Sequence, residues 1–395
     1  MARIRRTPYA FFYLEDNYRL DLASLIRAEL PSPAPEARIV ALAILTGKRH
    51  ELQRRELELL LSVPADRWIA ENEGDPEATR ALVEKGLLLS DSNEDGRAAL
   101  RDRDEALSAN AWNLYASLYH YMTQWSGLDT EEGLESDDLR AERFADARKV
   151  FVARYGPPPD AFAKIRPGRT LALPGRDRAE PLYRILTARR TTWAFDPDVP
   201  MTLTQLDAVI RYVFGCHGYA FETEDYAWIK RTSPSGGGLH PIEVYPIITN
   251  VTGVSPGIYQ YGSREHTLTL LSELDAAEAR RTATSFMCGQ RYFGEAHVSF
   301  ILTARFYRNH WKYRCHEKAY TAILMDAAHL SQTLYLVSAE RGLGAFVTIA
   351  VNGSDVERHL GFDGIAEGVI AIAGCGIRAA DRSPSEQEFS PRPPV

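Results

Sequence analysis

The chain has 395 residues, of which 45% are hydrophobic and 25% charged, and a formal net charge of −7. A chain of that length makes two or more domains and buries roughly three quarters of its unfolded surface. Its charge argues against holding nucleic acid or an anionic membrane by bulk attraction. Its cysteines at 216, 288, 315 and 375 form no C-x-x-C pair and no disulfide framework, which predicts a reducing compartment.

The opening "MARIRRTPYAFFYLEDNYRLDL" is basic but has no apolar core of a signal peptide, because Glu15 and Asp16 interrupt it; a cytoplasmic protein is expected. "YAFFYLED" (9–16) reads as a strand and is followed by "YRLDLASLIRAEL" (18–30). "ARIVALAILTG" (37–47), "QRRELELLLSVPADRWIAE" (53–71) and "PEATRALVEKGLLLSDS" (76–92) carry helical spacing between breaks. In the last, Gly86 closes a helix and a short apolar strand follows. Three helices and a short strand make a winged-helix pattern, against the blander reading of a small α+β domain that packs on its neighbour. The segment "ELQRRELELLLSVPADRW" (51–68) is rich in acid where a DNA-reading helix needs base.

Polar, acidic and Pro/Gly-rich stretches at 90–106, 127–142 and 154–170 divide the chain. They give residues 1–105, a helical connector 106–170 and a mixed domain 171–395. The aromatics at 112, 115, 119, 121 and 125 in the connector predict a helix face packed on the main domain rather than a base-stacking platform. Beyond it, "EPLYRILTARR" (180–190) and "TLTQLDAVIRYVFG" (202–215) read as helices, the second capped by Thr202 or Thr204 and stopped by Gly215. Strands are expected at "IEVYPIITN", "GIYQYG", "TLTLL", "VSFILTARF", "GAFVTIAV" and "GVIAIAGCGI", with a long helix at about 317–341. That helix contains the longest apolar run, 322–339, but Asp326, His329 and Gln332 make it a buried helix and not a membrane span. The whole is an α+β or α/β sheet domain.

No dinucleotide fingerprint, P-loop or H-E-x-x-H is present. His310, Cys315 and His316 lie close together without metal-site spacing and read as structural or surface residues. Three pieces carry chemistry. In "SPSGGGLHP" (233–241), bare glycines let a planar ligand lie against the backbone and Ser235 adds a hydroxyl; a flexible glycine loop is the plain alternative. "ARRTTWAF" (188–195) sets two arginines beside two hydroxyls at a helix end, which suits a phosphate. A solvated basic helix end is equally familiar there. Lys312 and Tyr313 stand before the long helix, where desolvation of the lysine or a cation beside the tyrosine suits proton transfer at neutral pH.

In this order, "RRTTWAF", "SPSGGGLHPIEVY", "KYR", "YTAILMDAAHLSQTLYLVSAERGLG" and "IAIAGCGIR" resemble the nitroreductase-like flavoproteins, and among them the SagB-type dehydrogenases of ribosomal peptide maturation. The resemblance covers about 175–380. It implies an α+β fold: a nitroreductase-like FMN-binding mixed sheet flanked by helices, with an N-terminal winged-helix-like domain, assembled as a homodimer. It implies that Arg189, Arg190 and Thr191 hold the phosphate with Arg378 beside them, and that Pro234, Ser235, Gly236, Gly237 and Gly238 lie along the flavin. Ile349 and Ala350 would face it through their backbone, and Lys312–Tyr313 match the Lys-Tyr pair tied to catalysis in azoline dehydrogenases. Trp193 and His240 depart from the pattern, standing where relatives carry Arg or Lys and Tyr. The implied function is oxidation of azolines to azoles in a precursor peptide, with the N-terminal domain holding the leader and room for a cyclodehydratase partner. The rivals are an NAD(P)H-dependent nitro- or quinone reductase and a flavin-bearing DNA-binding regulator.

Overall fold

A computed structural model describes residues 2–15, 38–71, 75–93, 96–134, 136–163, 166–171, 180–223, 226–381, 383 and 386. The chain forms two compact units. The first is built from residues 1–124, 305–322 and 361–368; the second takes 125–304, 323–360 and 369–395. Helix and strand are mixed throughout, an α+β architecture.

The first unit opens with β1 (Arg3–Arg6), β2 (Ala10–Glu15), β3 (Arg38–Ala43) and β4 (Lys48–Leu52). After a helix, Arg54–Ser62, come β5 (Ile69–Ala70), a helix Pro76–Glu84 and β6 (Leu88–Ser90). β1 lies between β5 and β6, while β2, β3 and β4 form an antiparallel meander. Ile4, Leu60, Leu82, Leu87 and Leu88 close one core between these elements, each worth about 1.5–3 kcal/mol relative to exposure. The segment 18–30 falls outside the described residues.

One sequence expectation fails here. The run 37–47, predicted helical, is β3 followed by a turn. Its apolar stretch is too short for periodicity to separate strand from helix. Backbone bonds from Thr46 N–H to the Ala43 carbonyl (3.3 Å) and from Gly47 N–H to the Ile44 carbonyl (3.2 Å) close the turn into β4. Gly47 sits at φ 63°, which a side chain would resist. The neighbouring expectation holds: Gly86, at φ 70°, ends the helix Pro76–Glu84 before β6.

Helices Arg97–Ala109 and Leu114–Met122 complete this part of the unit. Asn113 caps the second, accepting from the N–H groups of Tyr115 and Ala116 at 2.9 and 3.1 Å. The predicted aromatic stripe splits in two. Trp112 and Tyr121 are buried, while Tyr115 and Tyr119 are exposed. Trp112 Nε1 donates to the Ile365 carbonyl at 3.0 Å and Tyr121 Oη to the Gly364 carbonyl at 2.7 Å. His310 belongs to the same aromatic cluster, its ring 4.9 Å from that of Trp112, and Cys315 and His316 are exposed.

The second unit contains a helix Asp137–Tyr155, a helix Pro181–Ala188 and the predicted helix Leu203–Phe214. Thr202 caps the last in a reciprocal box with Gln205. A hairpin of β7 (Gly218–Thr223) and β8 (Tyr226–Lys230), not foreseen in the sequence, comes next. The main sheet consists of β9 (Ile242–Ile248), β10 (Gly257–Gly262), β11 (Thr267–Glu273), β12 (Val298–Arg305), β13 (Gly344–Thr348) and β14 (Glu367–Gly376). Their order is β11-β10-β9-β12-β14-β13, so all six predicted strands share one sheet. The long helix spans Ala319–Glu340.

Candidate functional site

The segment that begins at Arg189 leaves the helix Pro181–Ala188 and is held on two sides. Thr191 bridges Ala345 of β13 in parallel, and Thr192 N–H donates to the Ala345 carbonyl at 2.9 Å. Phe195 bridges Arg378 just beyond β14, flanked by bonds from Asp196 N–H to Ile377 (3.0 Å) and from Ala379 N–H to Ala194 (3.1 Å). Arg189, Arg190, Thr191 and Arg378 are therefore joined through one pair of bridged segments. Gly344 is bare for a local reason: a Cβ there would lie 2.6 Å from the Thr192 side chain.

Arg189 lies over the Tyr335 ring at 5.4 Å, and Thr191 Oγ1 is 3.0 Å from Tyr335 Oη. Burial pushes the Tyr335 hydroxyl above its ordinary range, so it stays protonated. Arg190 Nε is buried and has no hydrogen-bond partner among the described residues; Glu386 Oε2 approaches to 4.0 Å. A buried guanidinium N–H without an acceptor is costly, and an oxyanion would satisfy it. Glu386 already receives the Trp193 N–H at 2.7 Å. The Trp193 ring is stacked on Tyr292 at 4.4 Å with an interplanar angle of 10°, so it is engaged in packing.

The second predicted piece, 233–241, is fixed to the long helix. Ser233 Oγ lies 2.6 Å from Thr333 Oγ1, and His329 Nδ1 is 3.3 Å from the Pro234 carbonyl. Ser235 Oγ donates to Asp326 Oδ2 at 2.5 Å, and Gly236 N–H to Asp326 Oδ1 at 2.9 Å. Ser235 Oγ also accepts the His240 N–H at 2.8 Å. Desolvation raises the Asp326 carboxyl above its usual range, while the Ser235 and Gly236 bonds pull it back. The glycines form one 3-10 turn with Gly237 at φ 63° and Gly238 at φ 68°. At Gly238 the neighbour that excludes a side chain is Trp228 of β8, whose ring would lie 2.6 Å from a Cβ. That glycine makes room for protein, whatever the others face.

Ile349 is 85% exposed, and Ala350 N–H donates to Thr348 Oγ1 at 3.1 Å. Lys312 and Tyr313 close the helix Phe306–Tyr313 in the first unit, with the ammonium 5.8 Å from the phenol ring. Lys312 is exposed, so the desolvation invoked from sequence is absent in the single chain. A separate cavity of about 410 Å³, lined among others by Arg280, Arg281, Arg291 and Thr284, contains none of the predicted residues.

The long helix thus carries both predicted cofactor segments. Asp326 holds the glycine turn and Tyr335 the arginine segment, nine residues and roughly 13 Å apart along the axis at 1.5 Å per residue. Two sites at that separation suit an elongated ligand with an anionic end. The sequence profile of the nitroreductase family matches residues 186–377, which take in both segments and the sheet between them.

Residues 186–377 are a nitroreductase-family domain.

The nitroreductase domain has relatives of two kinds. The trifolitoxin-processing protein TfxB of Rhizobium leguminosarum bv. trifolii is 31% identical over 147 residues, 36% of this chain and 38% of TfxB's own length. A Methanocaldococcus jannaschii protein named for nitroreductase activity is 26% identical over 161 residues, 41% of this chain and 75% of that one. Among solved structures, a chain of the E. coli microcin synthetase McbBCD complex with truncated pro-MccB17 bound superposes with a TM-score of 0.47 at 16% identity. It covers 70% of this chain and 94% of that chain. An Anabaena variabilis nitroreductase-type structure gives a TM-score of 0.42 at 21% identity, over 50% of this chain and 38% of that one. Among the described residues no helix is long and apolar enough to cross a membrane.

Proposed function

We propose that the chain is an FMN-dependent dehydrogenase that acts on a ribosomally made peptide and oxidises azolines to azoles. The observation that carries the flavin is the buried Arg190 Nε, without an acceptor among the described residues, in a segment whose Arg189 and Thr191 meet Tyr335 of the same long helix that holds the glycine turn. Arg189, Arg190 and Thr191 would take the phosphate, with Arg378 brought alongside by the Phe195 bridge. The turn at 235–237 would lie along the rest of the cofactor. When bound, FMN supplies a two-electron acceptor. The peptide role is supported by the 31% identity to a protein whose name is toxin processing.

In this reading Lys312 or Tyr313 takes the proton released as the ring becomes aromatic, a contribution of about 10²–10⁴-fold. The first unit binds the leader and raises the local concentration of the core peptide. The working form is a homodimer. Leu324 and Met325 on the long helix and Phe144, Phe151 and Tyr155 on Asp137–Tyr155 are all exposed in one chain, apolar side chains that a second copy would cover.

The purified protein should be yellow and release FMN, not FAD, on denaturation. Arg190→Gln removes one charge-assisted contact of about 1.5–3 kcal/mol and should weaken FMN by roughly 10- to 150-fold in a fluorescence titration. A colourless protein that takes up no added FMN would sink the proposal. NADPH-driven reduction of a nitroarene with no turnover of an azoline peptide would favour the reductase.

A further inference from the structure

The sequence offers Ser235 as a ligand-facing hydroxyl; the structure spends it elsewhere. Its O–H donates to Asp326 Oδ2 and its oxygen accepts the His240 N–H. Asp326 is 4% exposed and accepts two bonds from consecutive residues of the turn. Two further amides of the turn are engaged: Gly238 N–H with the Ser235 carbonyl at 3.0 Å and Leu239 N–H with the Gly236 carbonyl at 3.4 Å. None of these bonds uses the Gly237 N–H, and Gly237 has a left-handed backbone, at φ 63° and ψ 15°, that only glycine adopts without strain.

We infer that Asp326 is the positioning residue of the glycine turn. Its carboxylate fixes Ser235 and Gly236 to the long helix so that the backbone, with the Gly237 N–H as donor, meets the bound cofactor. Ser235 acts through Asp326 and not on the ligand. This rests on the flavin reading above. Several features make it more than local packing. One carboxylate reaches two residues across some ninety positions of sequence. It does so from inside the fold, where an ion stays only if its bonds are good. It also leaves one amide of the turn outside the bonds that shape it.

The test is FMN dissociation from the full-length holoprotein, followed by flavin fluorescence on dilution, together with the melting temperature of each variant. Asp326→Ala and Ser235→Ala should each weaken FMN by roughly tenfold. The double variant should be no worse than the worse single, because both break one unit. Asp326→Asn should restore binding to within about threefold, since its oxygen still accepts the Gly236 N–H and its NH₂ can donate to Ser235 Oγ. Additive losses would overturn the inference, and so would an Asn variant as weak as the Ala one. Lowered melting temperatures with unchanged FMN release would reduce Asp326 to a structural role and overturn it too. A wild-type protein without FMN would instead defeat the flavin reading itself.

Discussion

At the scale of single residues, the candidate site separates into side chains that can meet a ligand and side chains already engaged by protein. Arg189 and Arg190 are of the first kind; Ser235 and Trp193 are of the second. Lys312 and Tyr313 are judged best by kinetics. Lys312→Ala and Tyr313→Phe should both keep the bound flavin, because neither is proposed to hold the phosphate. Turnover of an azoline peptide should fall by about 10²–10⁴-fold in each, and the double variant should be little worse than the worse single. Wild-type turnover by both singles would return the pair to ordinary surface and packing duty.

At the scale of elements, the helix Leu114–Met122 carries a titration signature. His120 is fully buried against Trp112, Phe306 and Tyr320, with Nδ1 2.9 Å from Tyr320 Oη. Desolvation, helped by the Arg103 charge, pushes its pKa down to about 3. The unfolded chain binds that proton near pH 6.5, while the native one refuses it until about 3. The stabilisation is therefore complete above pH 6.5 and is lost as pH falls toward 3, an effect on the order of 5 kcal/mol. Urea midpoints measured between pH 7 and 4 should drop steeply for the wild type. His120→Gln, which has nothing to titrate there, should show a flatter acid limb whatever its absolute stability. Parallel limbs for the two proteins would contradict the assignment.

At the scale of the whole molecule, the boundary near residue 105 runs through an element rather than a linker. The helix Arg97–Ala109 is tied to β1: Asp104 receives Arg5 Nη2 and Thr7 Oγ1, each at 2.6 Å, and is 1% exposed. The first unit also includes 305–322 and 361–368. Deleting residues 1–105 should therefore leave Leu107, fully buried in the intact chain, without its cover. The truncated protein should melt well below the full chain or aggregate on expression. A cooperative transition at the wild-type temperature would show that the N-terminal residues are a detachable module. Assembly is a separate question: light scattering of the flavin-loaded protein should give twice the chain mass. Leu324→Asp with Met325→Asp should shift it toward the monomer, and a wild-type monomer would contradict the dimer.

What the sequence determined by itself is local. The capped helix at 203–214, the long helix and all six sheet strands follow from spacing, caps and β-branched runs, because those signals act within a few residues. The pieces "RRTTWAF" and "SPSGGGLHP" were visible for the same reason: their residue types suit a phosphate and a close ligand wherever they lie. The tertiary structure decided what these residues do. That Asp326 accepts the Ser235 hydroxyl hydrogen bond, that Gly238 is bare for Trp228 and that Trp193 is stacked on Tyr292 are contacts across some ten to a hundred positions. No periodicity encodes them. The same holds for β3: its apolar run permits helix or strand, and pairing with β2 and β4 selects the strand. It holds for the first unit as well, which gathers three separate stretches of chain. Local pattern sets which element each stretch prefers; burial and hydrogen bonding between distant stretches set which side chains remain free to meet a ligand.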